Sequence, residues 1–331
     1  MNFRSRLRQC MDFVRGRTRP DLAPAEWMVE VTNRCNLACP MCTRATVKFQ
    51  QQDMKLELFE RLLRQHPEVE AVWPYGFGEP LMYPRIFDFI TVAKRHNHTV
   101  CLSTNAALLD QDNGRRLLQS GLDYLILPID GVDKSTYEKN RYPAALNKVE
   151  TQVESFLALK LELFSQLHIT VQMIRMANNQ TQIGTWRRRW QRKGVNVIRV
   201  RDDLSGNHGP TSNHHRASSS RRPCFFLWRG PLFVQAAGTV IPCPYYHGAE
   251  PVGDLKHQTA REIWTSESMK RLRAAHLERR LSDYPICERC PRYQPHRLLG
   301  ALSFFVTTWH IRRIFPTLEN LQRRLGTKFF E

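Results

Sequence analysis

VTNRCNLACPMCTR, residues 31–44, places Cys35, Cys39 and Cys42 in a polar loop that directly follows an apolar run. Structural zinc takes four protein ligands and a disulfide takes two, so three thiols in one short loop suit a metal site with a position left open. Spacing alone also allows zinc with a fourth, distant ligand. The surroundings of the loop carry the fold. WMVEVT (27–32) precedes it, and further apolar segments recur at 69–75, 99–104, 123–129, 167–174 and 195–200. Helical patterns lie between them, among them LELFERLLRQ (56–65), IFDFITVAKR (86–95) and IGTWRRRWQRK (183–193). Six such repeats predict an α/β fold with a parallel sheet, open or curled into a partial barrel. In these sheets chemistry sits at the carboxyl ends of the strands, which is where Cys35 falls.

The chain has 331 residues, 42% of them hydrophobic and 24% charged, a composition that supports a packed core. Its 49 Lys+Arg against 31 Asp+Glu give +18, which implies acidic surroundings such as nucleic acid, anionic lipid, a phosphorylated substrate or an acidic electron donor. The nine cysteines are too clustered for a disulfide scaffold, and residues 1–20 lack the apolar region of a signal peptide. A reducing cytoplasm with metal-bound thiolates is therefore expected. The longest apolar run, 298–311, falls short of the ~20 residues that span a bilayer. Both termini read as basic amphipathic helices, with Phe3, Leu7, Met11 and Val14 on one face and Leu318, Leu321, Leu325 and Phe329 on another. Such helices either pack on the protein's own body or hold it peripherally to an anionic membrane surface.

TNRCNLACPMC is similar to the signature of the radical S-adenosylmethionine (SAM) superfamily, and GFGEP (76–80) resembles that family's glycine-glycine-glutamate-proline motif. The resemblance implies that Cys35, Cys39 and Cys42 hold a 4Fe-4S cluster whose fourth iron is chelated by SAM. It also implies that Gly76, Gly78 and Glu79 receive the amino group of SAM. Thr104-Asn105-Ala106 and Pro128-Ile129-Asp130-Gly131 resemble two further family segments, which would place Asn105 and Asp130 in the SAM pocket and Arg141 on the SAM carboxylate. Read without the family, Asn105 is equally a turn residue, Asp130 a helix cap and Arg141 a surface charge. The chain departs from the family pattern at Phe77, Met41 and Pro128, where a glycine, an aromatic residue and a serine are usual.

A second set, Cys224, Cys243, Cys287 and Cys290, offers four thiolates, enough to close a structural zinc site or an electron-transfer cluster. Together with VGDL (252–255) and EIW (262–264) it resembles the SPASM or twitch extension of the same superfamily, which implies an auxiliary 4Fe-4S cluster. His296 stands at the next family cysteine position, so one auxiliary cluster is expected. Cys10 and Cys101 are left over and read as packing residues.

The expected organisation is a basic N-terminal segment (1–24), a core forming a partial (β/α)6 TIM-like barrel (25–202) and a linker rich in glycine, serine and histidine (203–222). A small C-terminal iron-sulfur domain (223–296) and a basic tail (297–331) follow. The linker histidines, His208, His214 and His215, read as solvated. What the resemblance implies is reductive cleavage of SAM and hydrogen abstraction, fed by a flavodoxin- or ferredoxin-type donor. The first substrate expectation is a small polar molecule, a sugar, cyclitol or lipid-linked glycan, oxidised or epimerised, with Cys101, Tyr245 and Tyr246 as candidate hydrogen donors. A peptide or protein substrate is the second. A zinc-binding nucleic-acid or scaffold protein is the third, and it leaves GFGEP unexplained, so nucleic acid is not the expected partner.

Overall fold

The computed structural model describes residues 3–45, 47, 50–192, 194–202, 222–290 and 297–305. The linker histidines, His296 and the C-terminal apolar face at 318–329 lie outside the described residues. In chain order the elements begin with α1 (Phe3–Arg15), β1 (Glu26–Val29), α2 (Leu56–Gln65), β2 (Ala71–Trp73), α3 (Ile86–Arg95), β3 (Thr99–Ser103) and α4 (Gln111–Gln119). Next come β4 (Tyr124–Pro128), α5 (Lys134–Asn140), α6 (Leu146–Glu162), β5 (His168–Arg175), α7 (Ile183–Trp190) and β6 (Val197–Asp202). The rest are α8 (Phe226–Arg229), β7 (Leu232–Val234), β8 (Thr239–Ile241), β9 (Gly253–Asp254), α9 (Ala260–Trp264), α10 (Glu267–Glu278), α11 (Pro285–Glu288) and α12 (Arg297–Leu302).

The chain divides into two compact units. One gathers residues 30–53 and 74–213. Its strands β3, β4, β5 and β6 pair in parallel in that order, with Leu102 opposite Leu125, Leu125 opposite Ile169 and Val171 opposite Ile198. Residues 1–29, 54–73 and 214–330 make the other. There β1 pairs in parallel with β2 on one side and β7 on the other, and β7, β8 and β9 continue as an antiparallel meander. LFVQAAGTVIPC (232–243) carries the β7–β8 hairpin, turned at Gly238, whose φ of 93° suits glycine.

Helices α2 and α3 match their sequence patterns to the residue, because each apolar stripe buries on the body and each ends in basic residues that favour a helix C-terminus. Strand β2 is shorter than its apolar run, since Pro74 has no N–H to continue a ladder. The segment 260–278 forms two helices, α9 and α10. Ser266 ends the first and caps the second by accepting a hydrogen bond from the Met269 N–H.

The N-terminal helix differs from expectation in the face that it buries. Cys10 and Phe13 are inside, with Gln9 and Asp12, while Phe3 and Leu7 are 67% and 43% exposed. The Phe13 ring stands 5.4 Å from Trp228 and 5.5 Å from Phe304, and Cys10 Sγ lies 3.7 Å from the Ala301 carbonyl. Apolar periodicity identified a stripe but not the neighbouring one that carries Gln9, whose Nε2 donates to the Ala23 carbonyl, and Asp12, which accepts from the Asp21 N–H and pairs with Arg17. Among the described residues no helix is long and apolar enough to cross a membrane.

Arg273 on α10 is fully buried and meets no carboxylate among the described residues. Its Nε donates to the Leu227 carbonyl at 2.7 Å, and Nη1 donates to the Thr18 and Trp264 carbonyls, both at 2.9 Å. The guanidinium sits 4.4 Å from the centre of the Trp264 ring, and burial pulls its pKa down to about 9. Arg273→Met should leave three carbonyls, two of them buried, without this donor and cost about 3–5 kcal/mol of stability, read from chemical denaturation. An unchanged unfolding midpoint would contradict this.

Candidate functional site

The three-cysteine loop is shaped by its own backbone. Cys42 N–H donates to the Cys39 carbonyl at 3.0 Å, Ala45 N–H to the Cys42 carbonyl at 2.9 Å, and Ala38 N–H to the Tyr142 carbonyl at 2.7 Å. Asn33 braces the loop, donating from Nδ2 to the Gln50 carbonyl at 2.8 Å and accepting from the Gln52 N–H at 2.9 Å, while the Arg44 guanidinium donates to the Asn33 carbonyl. Cys35, Cys39 and Cys42 then line one cavity of about 350 Å³, which Gly76–Glu79, Asn105, Arg141 and Ile174 help to wall. Burial, reinforced by Glu79 and Cys39, pushes the Cys35 thiol up to about 11 against the opposing Leu37 N–H, and burial also raises Cys42. A metal centre would displace the protons of these thiols to solvent and neutralise the resulting thiolates, so three sulfurs on one cavity wall fit the cluster that the sequence implies.

GFGEP is folded against residues 30–34. A Cβ on Gly78 would stand 2.1 Å from the Thr32 carbonyl oxygen and 2.7 Å from that of Arg34, so only glycine allows this approach. Glu79 N–H donates to the Arg34 carbonyl at 2.8 Å, and Phe77 N–H to Glu30 Oε1 at 3.1 Å. Phe77 is thus tolerated in place of the family glycine because its backbone, not its side chain, makes the attachment. Glu30 was not singled out in the sequence; a carboxylate inside the apolar run WMVEVT was the available signal. The Glu79 side chain is fully buried and accepts from Thr104 Oγ1 at 2.6 Å, the Asn105 N–H at 2.7 Å and the Leu81 N–H at 3.1 Å. Burial raises its pKa against these donors. Its carboxylate therefore ties the motif to the end of β3, an engagement that the sequence did not reveal.

Asn105 reaches the cysteine loop. Its Nδ2 donates to Asn36 Oδ1 at 2.8 Å and lies 4.0 Å from Cys35 Sγ, while Oδ1 accepts from the Ala107 N–H at 2.9 Å. Asn105 is thus a turn residue that also lines the cavity. The next residue, Ala106, has φ of 63° and is buried. It stands where the family segment has glycine, and it carries the strain of a left-handed alanine. Ala106→Gly should stabilise the chain by up to about 1 kcal/mol, visible as a higher melting temperature. A lower one would show that the methyl group packs better than it strains.

Asp130 is not a cavity residue, contrary to the role the resemblance gave it. It is fully buried behind the wall, and its oxygens accept from Arg141 Nε at 2.6 Å, Arg141 Nη2 at 2.5 Å and the Ile174 N–H at 2.6 Å. Arg141 is likewise no surface charge. Its guanidinium lines the cavity, and Nη1 lies 3.9 Å from Cys39 Sγ. Desolvation alone would lower its pKa; Asp130, Cys39 and Tyr137 outweigh this and raise it. Gly131 is required for packing, because a Cβ there would stand 2.6 Å from the Tyr137 backbone nitrogen.

In the other unit, burial and the charges of Cys224, Cys287 and Cys290 raise the Cys243 thiol well above its usual range, so these three sulfurs lie within electrostatic reach of Cys243. Among the described residues no three cysteine, histidine or carboxylate side chains converge on one point as ligands of a single ion would. The candidate hydrogen donors are not brought into the cavity. Cys101 is fully buried on β3, two residues below the cavity-lining Ser103. Tyr246 packs beside Cys287 and Cys243, its phenol pushed up to about 12 chiefly by burial, and the Tyr245 N–H faces the Cys243 sulfur.

Residues 29–169 match the radical SAM superfamily, and residues 224–291 match its iron-sulfur cluster-binding SPASM domain. The chain belongs to the radical SAM superfamily. This radical SAM enzyme therefore uses SAM and 4Fe-4S clusters as cofactors, and its α/β fold is the superfamily's partial barrel with a SPASM domain. Over 105 residues it is 31% identical to the tungsten-containing aldehyde ferredoxin oxidoreductase cofactor-modifying protein of Pyrococcus furiosus, a match that spans 31% of this chain and 30% of that protein. A longer match, 23% identical over 278 residues, joins 74% of this chain to 76% of the PqqA peptide cyclase of Gluconobacter oxydans. Among solved structures, Streptococcus suis SuiB bound to precursor peptide SuiA aligns over 81% of this chain and 70% of its own, at 12% identity and a TM-score of 0.64.

Proposed function

We propose that this radical SAM enzyme modifies a peptide or protein, rather than the small polar molecule that the sequence favoured. The observation that carries this is the similarity to a peptide cyclase over about three quarters of both chains. In this reading Cys35, Cys39 and Cys42 hold the SAM-binding cluster, and Cys224, Cys243, Cys287 and Cys290 hold one auxiliary cluster. When bound, these groups supply reductive cleavage of the sulfonium, hydrogen abstraction from an unactivated carbon and a second place for an electron. Electrons arrive from a flavodoxin- or ferredoxin-type protein.

The chain's own residues do the positioning. Gly78 lets the GFGEP backbone approach the cysteine loop, and Glu79 fixes that backbone to β3. Asn105 and Arg141 present N–H groups toward Cys35 and Cys39, where they stabilise negative charge on sulfur. Leu37, Met41, Phe77, Pro128 and Ile174 give the cavity an apolar lining that excludes water from reactive intermediates. Cys101, Tyr245 and Tyr246 have no part in this reading, which needs no opposing hydrogen donor.

The test is 5′-deoxyadenosine formation by the anaerobically reconstituted enzyme with SAM and dithionite, in the presence of a low-molecular-weight extract of its source cells. Stimulation that disappears when the extract is first digested with a protease supports a peptide substrate. Stimulation that survives digestion would return the assignment to a small molecule.

A further inference from the structure

Helix α1 has a second face that the core does not use. At about 3.6 residues per turn, Gln9, Asp12 and Phe13 point into the body, and Phe3, Leu7, Met11 and Val14 form a stripe beside them. Met11 and Val14 are half-buried, whereas Phe3 and Leu7 are 67% and 43% exposed. The stripe does not stop at the helix. The Phe3 ring lies 5.6 Å from that of Phe305, and Leu302, one turn before Phe305 at the end of α12, is 55% exposed. Helices α1 and α12 pack together within one compact unit, so their large apolar side chains share a surface. Exposed apolar side chains gathered in this way mark a contact surface.

The charge beside the stripe is of one sign. The helical period stacks Arg4, Arg8 and Arg15 into a row along its outer edge, and all three are exposed. Arg6, on the opposite edge, is turned to Glu70. Asp12 is the one acidic residue of α1 and is buried, so the exposed face presents arginine and no carboxylate. Residues 297–305 add none. An apolar stripe beside a cationic row suits the boundary between lipid headgroups and acyl chains, where guanidiniums meet phosphates. A second copy of the chain would set arginine against arginine, and residues 306–331 are themselves net basic, with five Lys+Arg and two Glu. Charge complementarity therefore favours an anionic lipid surface over either.

We propose that α1, with Leu302 and Phe305 beside it, docks this enzyme on an anionic membrane surface. Phe3 and Leu7 enter the headgroup–acyl boundary, and Arg4, Arg8 and Arg15 pair with lipid phosphates. Packing on the body and docking on a membrane, the two alternatives that the sequence left open for this helix, use different faces of it. Such docking is independent of whether the substrate is a peptide, and it fixes where the substrate is met.

The test is co-sedimentation of the full chain, anaerobically reconstituted, with vesicles of phosphatidylglycerol and phosphatidylcholine in equal parts, in about 0.15 M salt. The protein should sediment with these vesicles and not with pure phosphatidylcholine. Phe3→Ser with Leu7→Ser should weaken binding about tenfold or more, and so, separately, should Arg4→Gln with Arg8→Gln and Arg15→Gln. All five side chains are exposed, and circular dichroism and iron content report that the variants are folded. Arg95→Gln with Arg115→Gln and Arg188→Gln removes the same charge from exposed positions in the other unit and should leave binding intact. Equal losses from the two arginine sets would reduce the effect to net charge and overturn the proposal, as would unchanged binding by the Phe3/Leu7 pair. A dimer in solution that the Phe3/Leu7 pair dissolves, without vesicle binding by the wild type, would assign the face to a second copy and overturn it as well.

Discussion

Replacing Cys35, Cys39 and Cys42 together by alanine should abolish 5′-deoxyadenosine formation under dithionite and leave roughly half of the iron in place. The three thiols are the only cysteines among the described cavity residues, so no neighbouring sulfur can substitute for them. The four-cysteine set belongs to a different compact unit and keeps its own ligands. Replacing Cys287 and Cys290 instead should remove the other half of the iron. SAM cleavage that survives the triple replacement would sink the assignment of the open cluster.

Asp130→Ala should cost about 3–5 kcal/mol, because it leaves the Arg141 guanidinium buried without its counter-ion and the Ile174 N–H without an acceptor. Urea unfolding of the protein without cofactors measures this directly. Asp130→Leu combined with Arg141→Leu should recover much of the stability, since a buried ion pair exchanged for apolar side chains of similar volume is often neutral. The double variant should nevertheless cleave SAM poorly, having lost the N–H group that faces Cys39. Wild-type cleavage by that variant would show that Arg141 serves the fold alone.

The sequence exposed the parts of this architecture that depend on periodicity or on ligand chemistry. Helices α2 and α3 were readable because apolar stripe and charged ends agree, and the cysteine loop because three thiols in a row have few other uses. Direction was not readable. Asp130, just after β4, and Arg141, at the end of α5, both read as polar residues beside the site, yet one is held in the protein interior by the Ile174 N–H of β5 and the other lines the cavity. The same blindness misplaced the packing face of α1, where buried polar residues interrupt the stripe that the core uses. Cys101 illustrates the reverse error, since parity puts it inward but depth puts it beneath the cavity floor.

The cysteine loop is tethered by hydrogen bonds from the Asn33 side chain and the Arg44 guanidinium and by the bond from the Ala38 N–H to the Tyr142 carbonyl. Its three sulfurs therefore share anchors that carry no sulfur themselves. A change at Asn33, which touches none of the cysteines, reaches all three of them through the backbone that it holds.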